Sequence, residues 1–179
     1  MKYKLIDGKT FLWGLEEESS FNRLQQNIIN NFSTTRRQNA VSEVIIDNIT
    51  YTPFEDSGIL QVEATTRSNQ HIYKVILQFQ GLVFREQPQS VSIKSTDGAI
   101  NYFQPISLGT NNIKVKCDCL DFYWRFAYWN ANDKSLYGEP PAPYRRTTNR
   151  PPANPSRTPG ICRHIIRVVD ELRKQGIVR

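Results

Sequence analysis

The sequence predicts an α+β protein: an antiparallel β-rich body with an N-terminal helix, followed by a C-terminal strand–loop–helix module. Apolar residues recur at helical spacing early in the chain, short β-branched runs begin at Val41, and the three cysteines all lie in the C-terminal part. We therefore divide the 179 residues into a body, residues 1–111, and a module, residues 112–179. This length suffices for one core with an appended module.

The N-terminal helix is predicted to begin at Ser19 or Ser20, because either side chain can cap a first helical turn. Its apolar residues lie three and four positions apart, which places them on one helix face: Phe21, Leu24, Ile28 and Phe32. The pattern ends near residues 33–35, so one amphipathic helix of about average length is expected.

Five β-branched runs predict strands at residues 41–47, 59–66, 71–80, 90–95 and 112–119. Apolar and polar residues alternate most clearly between Tyr73 and Phe79. Residues typical of tight turns separate several of the runs, which favours an antiparallel sheet. His71, at the start of one run, is expected on the surface.

The run over residues 112–119 carries Cys117 and Cys119. Because successive side chains of a strand point to opposite faces, these two thiols are expected on one face, with Asp118 on the other face toward solvent. A strand can therefore present both sulfurs to a single ion.

The aromatic segment at residues 121–130 carries two patterns. Every second residue from Phe122 to Tyr128 is aromatic, as in a strand, but another set has the spacing of a helix face: Phe122, Arg125, Phe126 and Trp129. We predict a helix because Asp121 can cap it. The segment is expected to build core beside the cysteines; the alternative is an aromatic platform that stacks nucleobases.

Residues 139–160, which we call the strap, hold seven of the ten prolines. Proline fixes φ and removes an N–H donor, so the strap is expected to run extended or polyproline-like. Segments of this length are usually functional or disordered. We predict that the strap lies on a neighbouring subunit; a ligand for a small proline-binding domain is the alternative.

A C-terminal helix is predicted after the strap, with Gly176 as its stop and an apolar stripe formed by Ile165, Ile166, Val169 and Leu172. Residues two apart on a helix point about 200° away from each other. Cys162 and His164 can therefore share an ion only if the cysteine lies in the Pro-Gly turn before the helix and the histidine in its first turn.

These segments together supply three thiolates and one imidazole in a CxC…CxH array: Cys117, Cys119, Cys162 and His164. Zinc takes such ligands in closed tetrahedral structural sites, so one structural zinc ion is predicted to staple the module. Disulfides would leave one cysteine unpaired, and three unreactive buried thiols are the other alternative. Asp121 is a candidate acceptor for the free ring N–H of the histidine.

The positive charge is concentrated at the C-terminal end. Residues 1–138 hold 14 basic and 14 acidic residues, whereas residues 139–179 hold 9 and 3, which accounts for the net charge of +6. Eight of the nine are arginines, which suit phosphate or an acidic protein surface. A solvated basic tail is the alternative; the candidate DNA contacts are Arg145, Arg146, Arg150 and Arg157.

Other function classes find no support in the sequence. No run of about 18 apolar residues predicts a membrane span, and an acidic cluster near the N-terminus argues against a secretory signal and for a reducing compartment. Motifs of zinc hydrolases, zinc deaminases, phosphate-binding loops and nucleophile elbows are missing. Four protein ligands leave a zinc ion no position for water, so no enzymatic activity is expected.

The CxC…CxH array, with a strand before its first pair and a helix after its second, resembles the SWIM-type zinc-binding signature, here with a 42-residue insert. That resemblance implies binding to DNA or protein partners. Residues 112–172 are also similar to a cysteine/histidine protein that large tailed bacteriophages encode beside their virion genes. In that pattern a CxCxDFxxR segment precedes a proline-rich strap and a PGxCKH-like helix start, and here Arg163 replaces the usual lysine.

The second resemblance implies a virion structural or assembly protein at the neck, connector or tail, assembled in the host cytoplasm. We therefore predict a non-enzymatic, zinc-stabilised virion protein without a membrane partner. It is expected to dock on other virion proteins, including its own copies, through the strap. The alternative is a SWIM-type nucleic-acid-binding module that acts in phage DNA packaging or transactions.

Overall fold

A computed structural model describes residues 3–6, 9–12, 19–32, 40–143, 149 and 151–179. Within these residues the strands are antiparallel, and one helix precedes and another follows the main sheet, which confirms the predicted α+β class. None of the helices in this part of the chain is long and apolar enough to cross a membrane.

The main sheet has four antiparallel strands in the order β3-β4-β5-β8. Of two further hairpins, β1-β2 precedes this sheet in the sequence, and β6-β7 lies between its strands β5 and β8. The strands are β1 (Tyr3–Ile6), β2 (Lys9–Leu12), β3 (Ile45–Phe54), β4 (Ile59–Ser68), β5 (His71–Phe79), β6 (Val91–Lys94), β7 (Ile100–Phe103) and β8 (Ile113–Cys117).

Three helices complete the fold, together with short 3-10 turns at Val41–Glu43 and Glu55–Ser57. Helix α1 is Phe21–Phe32 and helix α3 is Arg163–Lys174. Helix α2 is continuous over three segments, of which the middle one has π geometry: Leu120–Phe122, Tyr123–Ala127 and Tyr128–Asn132.

Helix α1 forms as the spacing of its apolar residues predicts. Ser20 caps it, because the Ser20 Oγ accepts a hydrogen bond from the Arg23 N–H at 3.3 Å. Its four predicted core residues are all buried: Phe21, Leu24, Ile28 and Phe32. The helix is described as far as Phe32, and the predicted end at residues 33–35 lies outside the described residues.

The predicted strands need two corrections. Residues 41–43 form a 3-10 turn rather than strand, and β3 instead runs from Ile45 to Phe54. The short strand β7, at residues 100–103, was not predicted, because Ile100 is its only β-branched residue and no β-branched run marks it. Asn69 and Gln70, with φ of 49° and 66°, make the two-residue turn between β4 and β5 that suits antiparallel strands.

Among the described strands, β3 lies at an edge of the main sheet and pairs only with β4. Its pairing shifts register between Ile46 and Asn48, so Asp47 forms a bulge. Further along, the Tyr51 carbonyl accepts a hydrogen bond from the Thr96 N–H at 3.0 Å. Pro53, near the end of the strand, offers no N–H donor.

One continuous hydrophobic cluster joins the sheet to all three helices. Strand β8, which belongs to the predicted module, pairs with β5 of the predicted body, placing Cys117 opposite Val75 and Val115 opposite Leu77. The boundary at residue 111 stays a prediction. For the site, the consequence is that the sheet fixes the position of the first cysteine.

Gly58 provides a test of backbone packing in the turn between β3 and β4. Its φ is +63°, and a Cβ atom there would lie 2.6 Å from the Leu82 carbonyl oxygen. We expect Gly58→Ala to lower the free energy of unfolding by about 2–4 kcal/mol, because a left-handed backbone and a steric clash both oppose it. Urea denaturation measures this loss.

Gly176→Ala is the matched control, since Gly176 has a φ of +74° but no atom within 4 Å of its added Cβ. Gly176→Ala should lower the free energy of unfolding by about 1–2 kcal/mol, which is the cost of placing alanine in a left-handed backbone conformation. Equal losses in the two variants would contradict the steric contribution at Gly58.

Candidate metal centre

Four side chains from three elements converge in the interior: Cys117, Cys119, Cys162 and His164. Their candidate ligand atoms all lie within 4.8 Å of one another, and all four residues are buried. The two pairs of the CxC…CxH array therefore meet, and the cluster could hold a metal ion.

The first pair lies where β8 passes into α2. Cys117 is the last residue of β8, on the buried face with Ile113 and Val115. Cys119 lies beyond the strand, with φ of −69° and ψ of 145°, and is the N-cap of α2. The predicted strand end at residue 119 is therefore wrong by two residues, but the extended backbone still turns both sulfurs to one side.

Asp118 faces away from the two cysteines and is exposed, as predicted. Its Oδ1 accepts a hydrogen bond from the Lys74 N–H at 2.9 Å, and its own N–H donates to the Lys74 carbonyl at 3.2 Å. These bonds to β5 continue the strand pairing by one residue beyond Cys117. They hold the segment between the two sulfurs in place.

Asp121 has neither of the roles predicted for it. The cap of α2 is the Cys119 Sγ, which accepts a hydrogen bond from the Phe122 N–H at 3.3 Å. Asp121 forms an ion pair with Arg125, one helical turn later, at 3.1 Å. Within the described part of the chain, nothing accepts a hydrogen bond from the buried His164 Nε2. The Asp121 carboxylate therefore pairs with Arg125 and accepts no hydrogen bond from the imidazole.

The second pair has the geometry that its spacing requires. Cys162 is the N-cap residue of α3, with φ of −92° and ψ of 169°, and His164 is the second residue of the helix. The prediction of a cysteine in the turn and a histidine in the first helical turn is confirmed. Extended backbone at Cys162 removes the divergence that two helical residues at this spacing would show.

Asn130 fixes the backbone before Cys162, and sequence analysis did not identify it. The Asn130 Nδ2 donates to the Gly160 carbonyl at 3.0 Å, and the Gly160 N–H donates to the Asn130 Oδ1 at 2.8 Å. The Asn130 side chain is fully buried. The only sequence feature that could have indicated this role is the presence of a polar residue, Asn130, in the aromatic segment at residues 121–130. These two bonds hold the strap end against α2.

Gly160 is required where the strap end passes between two helices. A Cβ there would lie 2.5 Å from the Ile28 Cδ1 of α1 and 2.8 Å from the Phe126 ring of α2. Beside it, the Asn27 Nδ2 donates to the Pro159 carbonyl at 3.0 Å. Helices α1 and α2 together therefore set the path that brings Cys162 to the first pair.

The His164 ring presents Nδ1 to the cysteines. This nitrogen lies 3.8 Å from the Cys117 Sγ and 3.8 Å from the Cys162 Sγ. The imidazole packs on the Tyr73 ring, with 4.5 Å between ring centroids and 37° between planes. Tyr73 therefore fixes the ring orientation, and Nδ1 is the candidate ligand atom.

The geometry fits a four-coordinate ion. Tetrahedral zinc with ordinary bond lengths would place a sulfur and a nitrogen roughly 3.6 Å apart and two sulfurs roughly 3.8 Å apart. The observed distances of 3.8 Å need only a small contraction. The exposed fractions are 3% for Cys117, 3% for Cys119, 0% for Cys162 and 4% for His164. Soft sulfur donors with one imidazole favour zinc over magnesium or calcium.

The three thiols do not titrate alike. Hydrogen bonds from the Cys117 and Cys162 thiols lower the pKa of Cys119 well below its usual value, against the opposing effect of burial. Burial, together with the neighbouring Cys119, raises the pKa of Cys117, and burial with both other thiols raises that of Cys162. The Cys119 thiol is therefore the most acidic of the three, and burial favours the protonated forms of Cys117 and Cys162.

One side of the cluster faces a cavity of about 690 Å³. Cys119, His164 and Tyr73 lie in its wall, together with Arg163. The Arg163 guanidinium pairs with Glu43 at 3.1 Å and donates to the Ser68 hydroxyl. Arg163 thus ties the start of α3 to the 3-10 turn at Val41–Glu43 and to the end of β4.

The strap forms no helix or strand in the portions that the structure describes, residues 139–143, 149 and 151–160. Arg157 is exposed there. The other candidate DNA contacts, Arg145, Arg146 and Arg150, lie outside the described residues. His71, expected on the surface, is exposed at the start of β5.

Comparisons with protein-family models, with curated proteins and with solved structures find no match for this chain. Its likeness to the SWIM and phage patterns therefore rests on the motifs quoted above.

Proposed function

We propose that the chain is a non-enzymatic structural protein stabilised by one zinc ion, bound by Cys117, Cys119, Cys162 and His164. The observation that carries the proposal is the burial of all four candidate ligands around a single point. Structural zinc sites have four protein ligands, whereas catalytic sites keep a position open for water or substrate. A closed shell supports a structural role.

The proposed zinc ion would connect parts of the chain that lie far apart in sequence. One ligand pair belongs to the junction of β8 and α2, and the other to the start of α3, with the strap between them. Binding free energy at such a site adds to folding free energy, because the ligands converge only in the folded chain. The ion thus supports the surface that the strap and α2 present.

For the biological setting we propose a tailed-phage virion, with the protein at the neck, connector or tail and docked on neighbouring subunits through the strap. The quoted similarity of residues 112–172 to a phage-encoded protein supports this setting. The exposure of strap residues Pro151, Pro152 and Ala153 supports docking, because these residues are open to a neighbouring surface.

Two measurements test this proposal. Metal analysis of the purified protein should find about one zinc per chain, as a closed structural site binds one ion, and both Cys117→Ser and Cys162→Ser should reduce that content. Mass spectrometry of purified particles should detect the chain. A zinc content far below one per chain would reject the metal site, and absence from particles would reject the virion role.

Zinc loading at neutral pH should release about two protons per ion, because the raised pKa values of Cys117 and Cys162 favour their protonated forms and the lowered pKa of Cys119 favours its thiolate. The apparent affinity should therefore fall as the pH is lowered, by about 100-fold per pH unit. Calorimetric titration in buffers of different ionisation enthalpy measures the proton count. Release of three protons, or of none, would contradict these thiol states.

Nucleic-acid binding is the second candidate function. It is favoured by the location of the whole net charge of +6 in residues 139–179 and by the exposed Arg157. Contacts to phosphates release counterions, so the affinity for DNA should fall steeply with salt. An anisotropy titration that detects no binding at about 50 mM salt would reject this function, since non-specific contacts are strong there.

A further inference from the structure

Two aromatic pairs lie on the surface of α2. Tyr123 and Trp124 contact each other edge to face, with ring centroids 4.8 Å apart, and Tyr128 and Trp129 do the same at 5.1 Å. The pairs are five residues apart, across the π segment Tyr123–Ala127. Because π geometry bonds residue i to i+5, it brings residues five apart to the same side of the helix. Both pairs consequently line one groove.

The opposite wall of this groove is the strap. The groove has a volume of about 460 Å³, and its strap wall is formed by proline and alanine residues with Asn154 and Arg157. Among the lining residues that the structure describes, Arg157 carries the only charge. The groove is therefore aromatic on one side, apolar on the other, and positive at its rim.

Asn154 holds the strap wall against α2. Its buried Nδ2 donates to the Arg125 carbonyl at 2.8 Å and to the Thr158 carbonyl at 2.8 Å. The Arg157 N–H closes a turn onto the Asn154 carbonyl at 3.3 Å, and Arg157 itself has a φ of +54°. A left-handed arginine is uncommon and needs such support. The turn places the exposed Arg157 in the wall of the groove.

The aromatic rings are more exposed than core packing explains. Trp124 is 55% exposed and Tyr123 is 45% exposed, whereas Phe122 and Phe126 of the same helix are buried. The buried pair serves the core, as predicted for this segment. The exposed pair presents flat aromatic faces to solvent, which favours a ligand with planar groups.

We propose that this groove binds single-stranded nucleic acid, with a base stacked on Trp124 and a phosphate held by Arg157. Stacking on aromatic rings combined with a cationic rim is the usual chemistry of single-strand binding. Duplex bases are already stacked on each other and cannot enter such a groove. A basic proline-rich peptide would need a carboxylate at the rim, and none of the described lining residues carries one. The inference rests on the second candidate function and names its site.

The test measures binding of a short fluorescently labelled oligothymidine, and of a duplex of equal length, to the zinc-loaded full chain. Trp124→Ala should weaken binding of the single strand by about ten-fold or more, since stacking contributes strongly per base. Phe54→Ala is the matched control, because Phe54 is an aromatic residue on β3 that is 45% exposed and does not line the groove. This variant should leave binding of the single strand unchanged. Thermal unfolding verifies that both variants fold.

Arg157→Gln tests the phosphate contact separately. It should reduce the salt dependence of binding by about one phosphate contact, while Lys94→Gln, which removes another exposed positive charge, should not. Unchanged binding by Trp124→Ala, with the wild type still binding DNA, would overturn the groove proposal and leave the second candidate function intact. A wild type that binds neither the single strand nor the duplex would overturn both. If Trp124→Ala instead impairs incorporation into particles without any DNA binding by the wild type, the groove is a protein interface and the proposal fails.

Discussion

Removal of the proposed zinc ion is expected to lower the free energy of unfolding by at least about 5 kcal/mol, enough to unfold much of a protein of ordinary stability. The reason lies in the cluster, where three buried sulfurs and one imidazole would lose their common partner. Thermal unfolding followed by near-ultraviolet circular dichroism, with and without a strong chelator, measures the loss. Added zinc should restore the original transition.

Cys162→Ser provides the control for chelator side effects. Cys162 is fully buried, and its variant should already unfold at the temperature of the metal-free wild type. The chelator should then have no further effect on it. A wild-type transition that stays in place when the metal is removed would contradict a structural role for the ion.

Asn130→Ala should produce the second largest effect, a loss of about 2–5 kcal/mol in the free energy of unfolding. The variant leaves the N–H and the carbonyl of the buried Gly160 without partners, and each unsatisfied group costs about 1–3 kcal/mol. The strap end should also move away from α2, which displaces Cys162. Urea denaturation measures the stability, and competition with a chromophoric chelator measures the zinc affinity.

Asn132→Ala is the matched control, because Asn132 ends the same helix but is exposed. Its loss should stay within about 0.5 kcal/mol, as for most surface substitutions. If both variants retain the wild-type zinc affinity, the two bonds to Gly160 do not position the metal ligand. Equal stability losses would contradict the expected cost of the unpaired groups.

The metal cluster could be predicted from the sequence because each ligand pair depends on local geometry. Cys117 and Cys119 need only extended backbone, and Cys162 with His164 needs only a turn before a helix. Both conditions can be derived from neighbouring residues. The meeting of the two pairs followed from the chemistry of the ion, since a closed site needs all four ligands.

Features that depend on residues distant in sequence could not be predicted. Asn130 and Gly160 are 30 positions apart, and nothing in the local pattern connects them. The π segment of α2 has a similar cause: helical and alternating spacing both fit residues 122–128, and π geometry differs from either. The sequence therefore did not predict that the two aromatic pairs, Tyr123 with Trp124 and Tyr128 with Trp129, lie on the same side of α2.

The error at Asp121 has a simple physical origin. Sequence reasoning placed its carboxylate by distance from Cys119, but on a helix the residue four positions later is the nearest neighbour. Arg125 is that residue, and its buried guanidinium also lies over the Phe32 ring at 5.2 Å from the centroid. A local ion pair on the helix thus prevailed over a contact with the histidine.

The β3 edge of the main sheet affects how copies of the protein behave when they are concentrated together. An open edge strand can pair with the same strand of another copy, and that pairing leads to fibres. Strand β3 interrupts its free edge at three places, by the bulge at Asp47, the Thr96 contact to Tyr51, and Pro53. Among the residues that the structure describes, these three features break the row of donors and acceptors along β3 into short pieces. A neighbouring copy therefore has little opportunity to pair with this edge of the sheet, even at high protein concentration.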